Sequence, residues 1–161
     1  IAMGACATSG GIQALRNLAD APEWTRGVYA SPEHIHSLER STALAEHARV
    51  DLELWGCPVN ARQVLGAIRD LLSGVAPVQS RDKVCVECKR IGHVCVLVAK
   101  GQPCMGPVTV TGCGVLCPSQ GRDCYGCYGP AERANTASLA ARFTALGLSE
   151  RDVARRFACI N

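Results

Sequence analysis

The sequence predicts an α/β protein: a parallel sheet with crossover helices, then an irregular cysteine-rich segment, then C-terminal helices. Three observations carry this. Two short strand patterns, at residues 1–3 and 50–54, each run into a glycine-marked loop and then a helical pattern, which is the grammar of parallel strand–loop–helix units. Eight of the 11 cysteines then crowd into the 43 residues from Cys85 to Cys127. Glycine and proline are too frequent there for long helices or strands. Residues 131–158 regain a helical texture. The chain therefore divides into 1–78, 79–130 and 131–161.

The elements follow in order. Ile1-Ala2-Met3 reads as the end of a buried strand running into Gly4-Ala5-Cys6-Ala7-Thr8-Ser9-Gly10-Gly11. A helix is expected at about 11–19 and another at about 37–48. Val50-Asp51-Leu52-Glu53-Leu54 alternates apolar with acidic, the period of a half-buried strand. Trp55-Gly56-Cys57-Pro58 breaks it. Asn60 caps a helix to about Leu72, with Val64, Leu65, Ile68, Leu71 and Leu72 on one broad face and Gly74 after it.

Composition excludes several classes. Basic residues exceed acidic ones by 17 − 14 = 3, too few and too scattered for a nucleic-acid footprint. No apolar run reaches the length of a membrane span. No signal peptide is visible, so the reading places the chain in the cytoplasm, where thiols stay reduced.

The eight cysteines run C-x2-C-x6-C-x8-C-x8-C-x3-C-x6-C-x2-C. They divide evenly into two sets of four, and four thiolates hold one cubane iron–sulfur cluster. Two such clusters, each carrying roughly −2 when oxidised, would bring the net charge from +3 to about −1. Lys89, Arg90, Lys100 and Arg122 stand beside the cysteines and read as solvated surface. Zinc is the rival, because Cys85/Cys88 and Cys124/Cys127 have the form of zinc hooks. Four further cysteines at gaps of 6, 8, 3 and 6 do not suit a zinc ribbon. Disulfides would need an oxidising compartment.

Cys6 and Cys57 each follow a strand and precede a helix, which puts both at the carboxyl edge of the sheet, where open α/β sheets bind ligands. Two ordinary buried thiols would fit the same places. The glycines after Cys6 do not form G-x-G-x-x-G, so a dinucleotide site is unsupported. Cys159, at the far end of a helix, reads as a small apolar core residue. The two thiolates needed to complete a site with Cys6 and Cys57 are expected upstream of Ile1. The chain accordingly reads as part of a longer subunit.

G-A-C-A-T-S-G-G at Gly4–Gly11, V-D-L-E-L-W-G-C-P at Val50–Pro58, and the eight-cysteine run with its intervening glycines together resemble one family. They are similar to the small, electron-transferring subunit of nickel–iron hydrogenases. The resemblance is best to the cytoplasmic multimeric branch, the sulfhydrogenase delta and coenzyme-F420-non-reducing hydrogenase small subunits. It covers most of residues 1–130. A complex-I-like quinone reductase iron–sulfur subunit shares the first two motifs but lacks the eight-cysteine segment.

The resemblance implies that 1–78 is the C-terminal part of a flavodoxin-like domain that carries a proximal four-iron (4Fe-4S) cluster. Cys6 and Cys57 match two proximal ligands. The distal set becomes Cys85, Cys88, Cys95 and Cys104, with Cys85 where many relatives have His. The medial set becomes Cys113, Cys117, Cys124 and Cys127, with Cys113 the fourth ligand that three-iron relatives lack. His93 is then an exposed loop residue rather than a ligand. Implied partners are a nickel–iron large subunit, which would split dihydrogen, and flavin/NAD(P)-binding diaphorase and iron–sulfur subunits. No residue here need act as acid, base or nucleophile. Asp51, Glu53 and Glu87 read as surface or supporting groups.

Overall fold

The computed structural model describes residues 1–158 of the 161. Its sheet is one parallel pair: β1 (Ala2–Met3) lies beside β2 (Glu53–Leu54), Ala2 opposite Glu53 and Met3 opposite Leu54. Ala2 and Leu54, which this register puts on opposite faces of the pair, are both buried. The pairing runs on past the strands, since the Gly4 N–H donates to Leu54 O at 2.8 Å and the Ala5 N–H to Gly56 O at 2.9 Å. Those two bonds tie the Cys6 loop to the Cys57 loop, as parallel pairing of the two motifs requires.

After β1 come a short helix α1 (Ala5–Ser9) and a 3-10 stretch over Gly11–Leu18. Helix α2 (Ala21–Val28) was not expected from the periodicity. The Asp20 side chain caps it by accepting from the Glu23 N–H at 2.8 Å, and Pro22 sits in its first turn. The expected helix over 37–48 does not form; only Leu44–Glu46 makes a 3-10 turn. Its backbone is engaged elsewhere. Arg16 Nη2 donates to Leu38 O at 2.6 Å, Asn17 Nδ2 to Ser41 O at 2.6 Å, and the Ser41 N–H to Asn17 Oδ1 at 2.9 Å. Side-chain partners of this kind compete with a helical ladder.

Helix α3 (Ala61–Leu72) forms where Asn60 predicts it, the Asn60 side-chain oxygen accepting from the Arg62 N–H at 2.9 Å. Its apolar face is not buried as expected. Ala67 is buried, while Leu65 and Leu72 are 66% and 85% exposed.

The cysteine-rich segment holds only short helices, α4 (Val84–Ile91), α5 (Val96–Ala99) and α6 (Leu116–Ser119). Extended backbone ties it together: the Val84 N–H donates to Thr109 O at 2.9 Å, the Val110 N–H to Gly129 O at 3.0 Å, and the Ala131 N–H to Val108 O at 2.7 Å. Beneath these loops lies the core. Val84, Val96, Met105, Val108 and Val115 pack with Leu139 and Phe143 of α7 (Thr136–Ala145) and Val153 of α8 (Glu150–Ala158). Met105 and Phe143 are wholly buried. Two C-terminal helices thus supply the apolar floor on which the cysteine loops rest, which glycine-rich loops cannot supply for themselves. Among the described residues no helix is long and apolar enough to cross a membrane.

Candidate metal centre

Cys85 and Cys88 are three residues apart on α4, so the 3.6-residue turn puts them on one face. Cys95 caps α5, and Cys104 precedes the 3-10 turn Gly106–Val108. Gly106 forms the floor between two of them: a Cβ there would stand 3.3 Å from Cys85 Sγ and 3.4 Å from Cys104 Sγ. Burial, and then the neighbouring Cys104, Cys95 and Cys88, push the Cys85 thiol up to about 11, against a small opposing effect of Lys89. Cys88 is raised by burial and by Cys104 and Cys95. These four therefore share one neighbourhood.

Cys113, Cys117, Cys124 and Cys127 line one cavity of about 170 Å³, together with Cys57 and Tyr128. Burial pushes Cys124 up to about 12; the Gly126 N–H lowers it, and Cys104, Cys127 and Cys113 raise it further. Cys117 is raised by burial and by Cys113, with Arg122 opposing. The segment between Cys113 and Cys117 turns at Val115, a wholly buried non-glycine residue in the left-handed region at φ 59°. Such a conformation costs about 1–3 kcal/mol and persists only where packing enforces it.

The two groups touch. The Cys124 N–H donates to Cys104 Sγ at 3.2 Å. A second link joins the β2 edge to the second group: Cys57 and Cys127 line the same cavity, and burial raises the Cys127 thiol while the Cys57 backbone opposes that rise. Cys6 lies apart from these links, its Sγ 3.0 Å from where a Gly11 Cβ would be. Both Cys6 and Cys57 are exposed rather than buried. Cys159 lies outside the described residues.

The donor set suits an iron–sulfur group. Thiols held beside other thiols resist ionising, so a polycationic centre that neutralises them displaces protons and stabilises the loops at once. N–H donors aimed at sulfur are the contacts that tune such a centre. A single ion has a different requirement, four sulfurs about 2.3 Å from one point. Among the described residues no group of three or more His, Cys, Asp or Glu is arranged to hold a metal ion.

The remaining sequence candidates are peripheral. Lys89, Arg90, Lys100 and Arg122 are exposed; Arg90 pairs with Asp82 at 2.7 Å, and Lys100 donates to Gly121 O at 3.2 Å. Asp51 is exposed and pairs with Arg49 at 3.0 Å. Glu53 accepts from Trp55 Nε1 at 3.1 Å, and Glu87 accepts from the Thr111 hydroxyl. His93 is in a loop but half-buried, not exposed as expected, because its N–H is drawn back to Cys88 O at 3.1 Å.

Three residues escaped the sequence reading. Gly106 is one. Tyr128 is another: its ring lies where a Gly112 Cβ would be, 2.6 Å away, and its hydroxyl donates to Pro58 O at 3.4 Å. The doubled Tyr-Gly of Cys124-Tyr125-Gly126-Cys127-Tyr128-Gly129 was its visible signal. Arg156 of α8 is the third; it reaches both cysteine groups from far along the chain and left no local signal.

Thiol quartets on glycine-rich loops, with N–H donors to sulfur, point to iron–sulfur clusters as the class of site. Comparison with known proteins narrows the class. The family model described as NADH ubiquinone oxidoreductase, 20 Kd subunit, matches residues 1–71. The sulfhydrogenase 2 delta subunit of Pyrococcus furiosus is 38% identical over 130 residues, covering 81% of this chain and 54% of that protein. A subunit of the F420-non-reducing hydrogenase of Methanothermobacter thermautotrophicus is 33% identical, covering 83% and 54%. An iron-sulfur subunit of the F420-non-reducing hydrogenase of Archaeoglobus profundus is 25% identical, covering 81% and 56%.

A solved chain of an NAD+-reducing NiFe hydrogenase in the H2-reduced state is 30% identical, with a TM-score of 0.42 over 48% of this chain and 51% of that one. This chain spans about half the length of the curated relatives first matched, 54% in each of the two. The likeness to the two hydrogenase subunits of Pyrococcus furiosus and Methanothermobacter thermautotrophicus covers far more of the chain than residues 1–71, and so reaches into the cysteine run. It supports a small, electron-transfer subunit of a hydrogenase.

Proposed function

We propose that the chain is the electron-relay part of a nickel–iron hydrogenase, working between a large subunit that splits dihydrogen and a flavin- and nicotinamide-binding partner. In this reading residues 1–78 are the end of a flavodoxin-like domain, 79–130 the two-cluster segment and 131–161 a helical support. Cys85, Cys88, Cys95 and Cys104 would hold the distal 4Fe-4S cluster. Cys113, Cys117, Cys124 and Cys127 would hold the medial one. Cys6 and Cys57 would give two thiolates to a proximal cluster. When bound, such groups exchange single electrons at potentials set by charge, hydrogen bonds and exposure.

The observation that carries the reading is the continuity of the links. Cys57 lines one cavity with Cys113, Cys117, Cys124 and Cys127, and the Cys124 N–H donates to Cys104 Sγ, which supports the order proximal, medial, distal. The chain's own work is then to aim N–H donors at sulfur, to bury Cys104 and Cys124 away from water, and to hold the loops at fixed separation. Eight thiols grouped between Cys85 and Cys127, with no disulfide among the described residues, suit a reducing compartment such as the cytoplasm.

The test uses the assembled complex. Cys88→Ser should abolish H2-dependent reduction of the acceptor while hydrogen–deuterium exchange at the partner's site continues. Loss of both activities together, with the complex intact, would contradict a pure relay role.

A further inference from the structure

We infer that Arg156 is a positioning residue that holds the junction between the two cysteine quartets and biases both centres toward reduction. The inference rests on the preceding reading of the quartets as cluster ligands. Arg156 stands on α8, yet its guanidinium is aimed at the cysteine loops. Nε donates to Pro103 O at 3.0 Å, next to Cys104, and Nη2 donates to Cys124 O at 3.2 Å. One rigid fork therefore grips the residue before a distal ligand and the backbone of a medial ligand. These are the two cysteines that the Cys124 N–H···Sγ Cys104 bond joins. That bond keeps its direction only while the two loops stay in register.

The other contacts fix the fork. Asp123 forms an ion pair with Arg156, and the guanidinium lies 4.3 Å from the centre of the Tyr125 ring. The Met105 N–H also donates to Cys124 O, at 3.0 Å, so the gripped carbonyl is held from two sides. The side chains of Arg156 and Asp123 are only 14% and 15% exposed.

The charge matters as well as the geometry. Arginine stays cationic at any accessible pH. In so buried a place its field is poorly screened by salt. Accepting an electron adds negative charge to a cluster, and a fixed cation nearby favours that state. The Asp123 carboxylate opposes it in part. In the transfer itself one centre loses an electron and the other gains it, with no bond made and no proton moved.

The experiment is redox titration of the full chain, followed by electron paramagnetic resonance, on wild type, R156M, R156K and D123N. R156M should keep its iron but lower the reduced-to-oxidised ratio of both centres about tenfold at fixed potential, which is 59 mV for one electron. D123N should move the ratio the opposite way. R156K should restore the ratio but not the spin coupling between reduced centres, because an ammonium cannot reproduce the fork. An R156M chain with full iron, unchanged ratio and unchanged coupling would overturn the inference. Should R156M fail to hold iron, an unmoved ratio in D123N together with wild-type coupling in R156K would overturn it equally. A wild-type chain that holds no iron would instead overturn the proposed function.

Discussion

Replacing Gly106 with valine should empty the Cys85 quartet and spare the Cys113 quartet. Gly106 does not lie in the left-handed region, so a larger residue is not excluded by its backbone. The obstacle is space. An added Cβ meets Cys85 Sγ at 3.3 Å, Cys104 Sγ at 3.4 Å and Val84 Cγ1 at 3.6 Å. Alanine is therefore tight but admissible if the sulfurs give by a few tenths of an ångström. Valine carries two methyls about 1.5 Å further out, into the space those two sulfurs face. Overpacking of this kind costs about 1–3 kcal/mol, against about 5–15 kcal/mol for a whole fold, so the chain survives while the site closes. The assay is iron and acid-labile sulfide per chain with the paramagnetic resonance spectrum of the reduced protein. G106V should fall from about eight iron atoms toward four, losing one reduced signal, and G106A should keep its iron. Full iron and two unaltered signals in G106V would refute the assignment of Gly106 as the floor of that quartet.

Three further outcomes follow from the same geometry. Cys113→Ser should convert the centre held by Cys117, Cys124 and Cys127 into a three-iron form, paramagnetic when oxidised, and leave the other quartet untouched; loss of the Cys85 quartet instead would show that the division is wrong. Phe143→Ala removes a wholly buried ring from the floor of the cysteine loops and should cost about 3–5 kcal/mol, read as a lower denaturation midpoint of the loaded chain. Gly129→Ala forces a Cβ to within 2.7 Å of the Trp55 ring at φ 82° and should destabilise by about 1–3 kcal/mol; a variant as stable as wild type would show that Trp55 does not pin the Gly129 loop to the β2 edge.

What could be read from the sequence was local. The pairing of Ala2–Met3 with Glu53–Leu54 follows from two strand patterns that each end in a glycine loop. The Asn60 cap places α3 correctly. Between them the reading failed where tertiary bonds decide. Ser37–Ala48 has helical texture, but Arg16 and Asn17 occupy its backbone. Helix α2 was missed although Asp20 with Glu23 three residues on is a visible cap signal. At the site, spacing gives eight thiols in two sets of four, and which cysteine belongs to which set comes from the family resemblance rather than from spacing. Arg156 is different. Its contacts with Pro103 and Cys124 span 53 and 32 residues, and no local pattern encodes contacts over that distance.

The central claim is that Cys85–Cys127 holds two four-iron clusters. It is tested most directly by metal and acid-labile sulfide analysis of the chain purified without oxygen, alongside its visible spectrum. A segment loaded with two such clusters carries about eight iron and eight sulfide, with broad brown absorption that bleaches on reduction. Stoichiometric zinc with negligible iron, in a colourless protein, would contradict it.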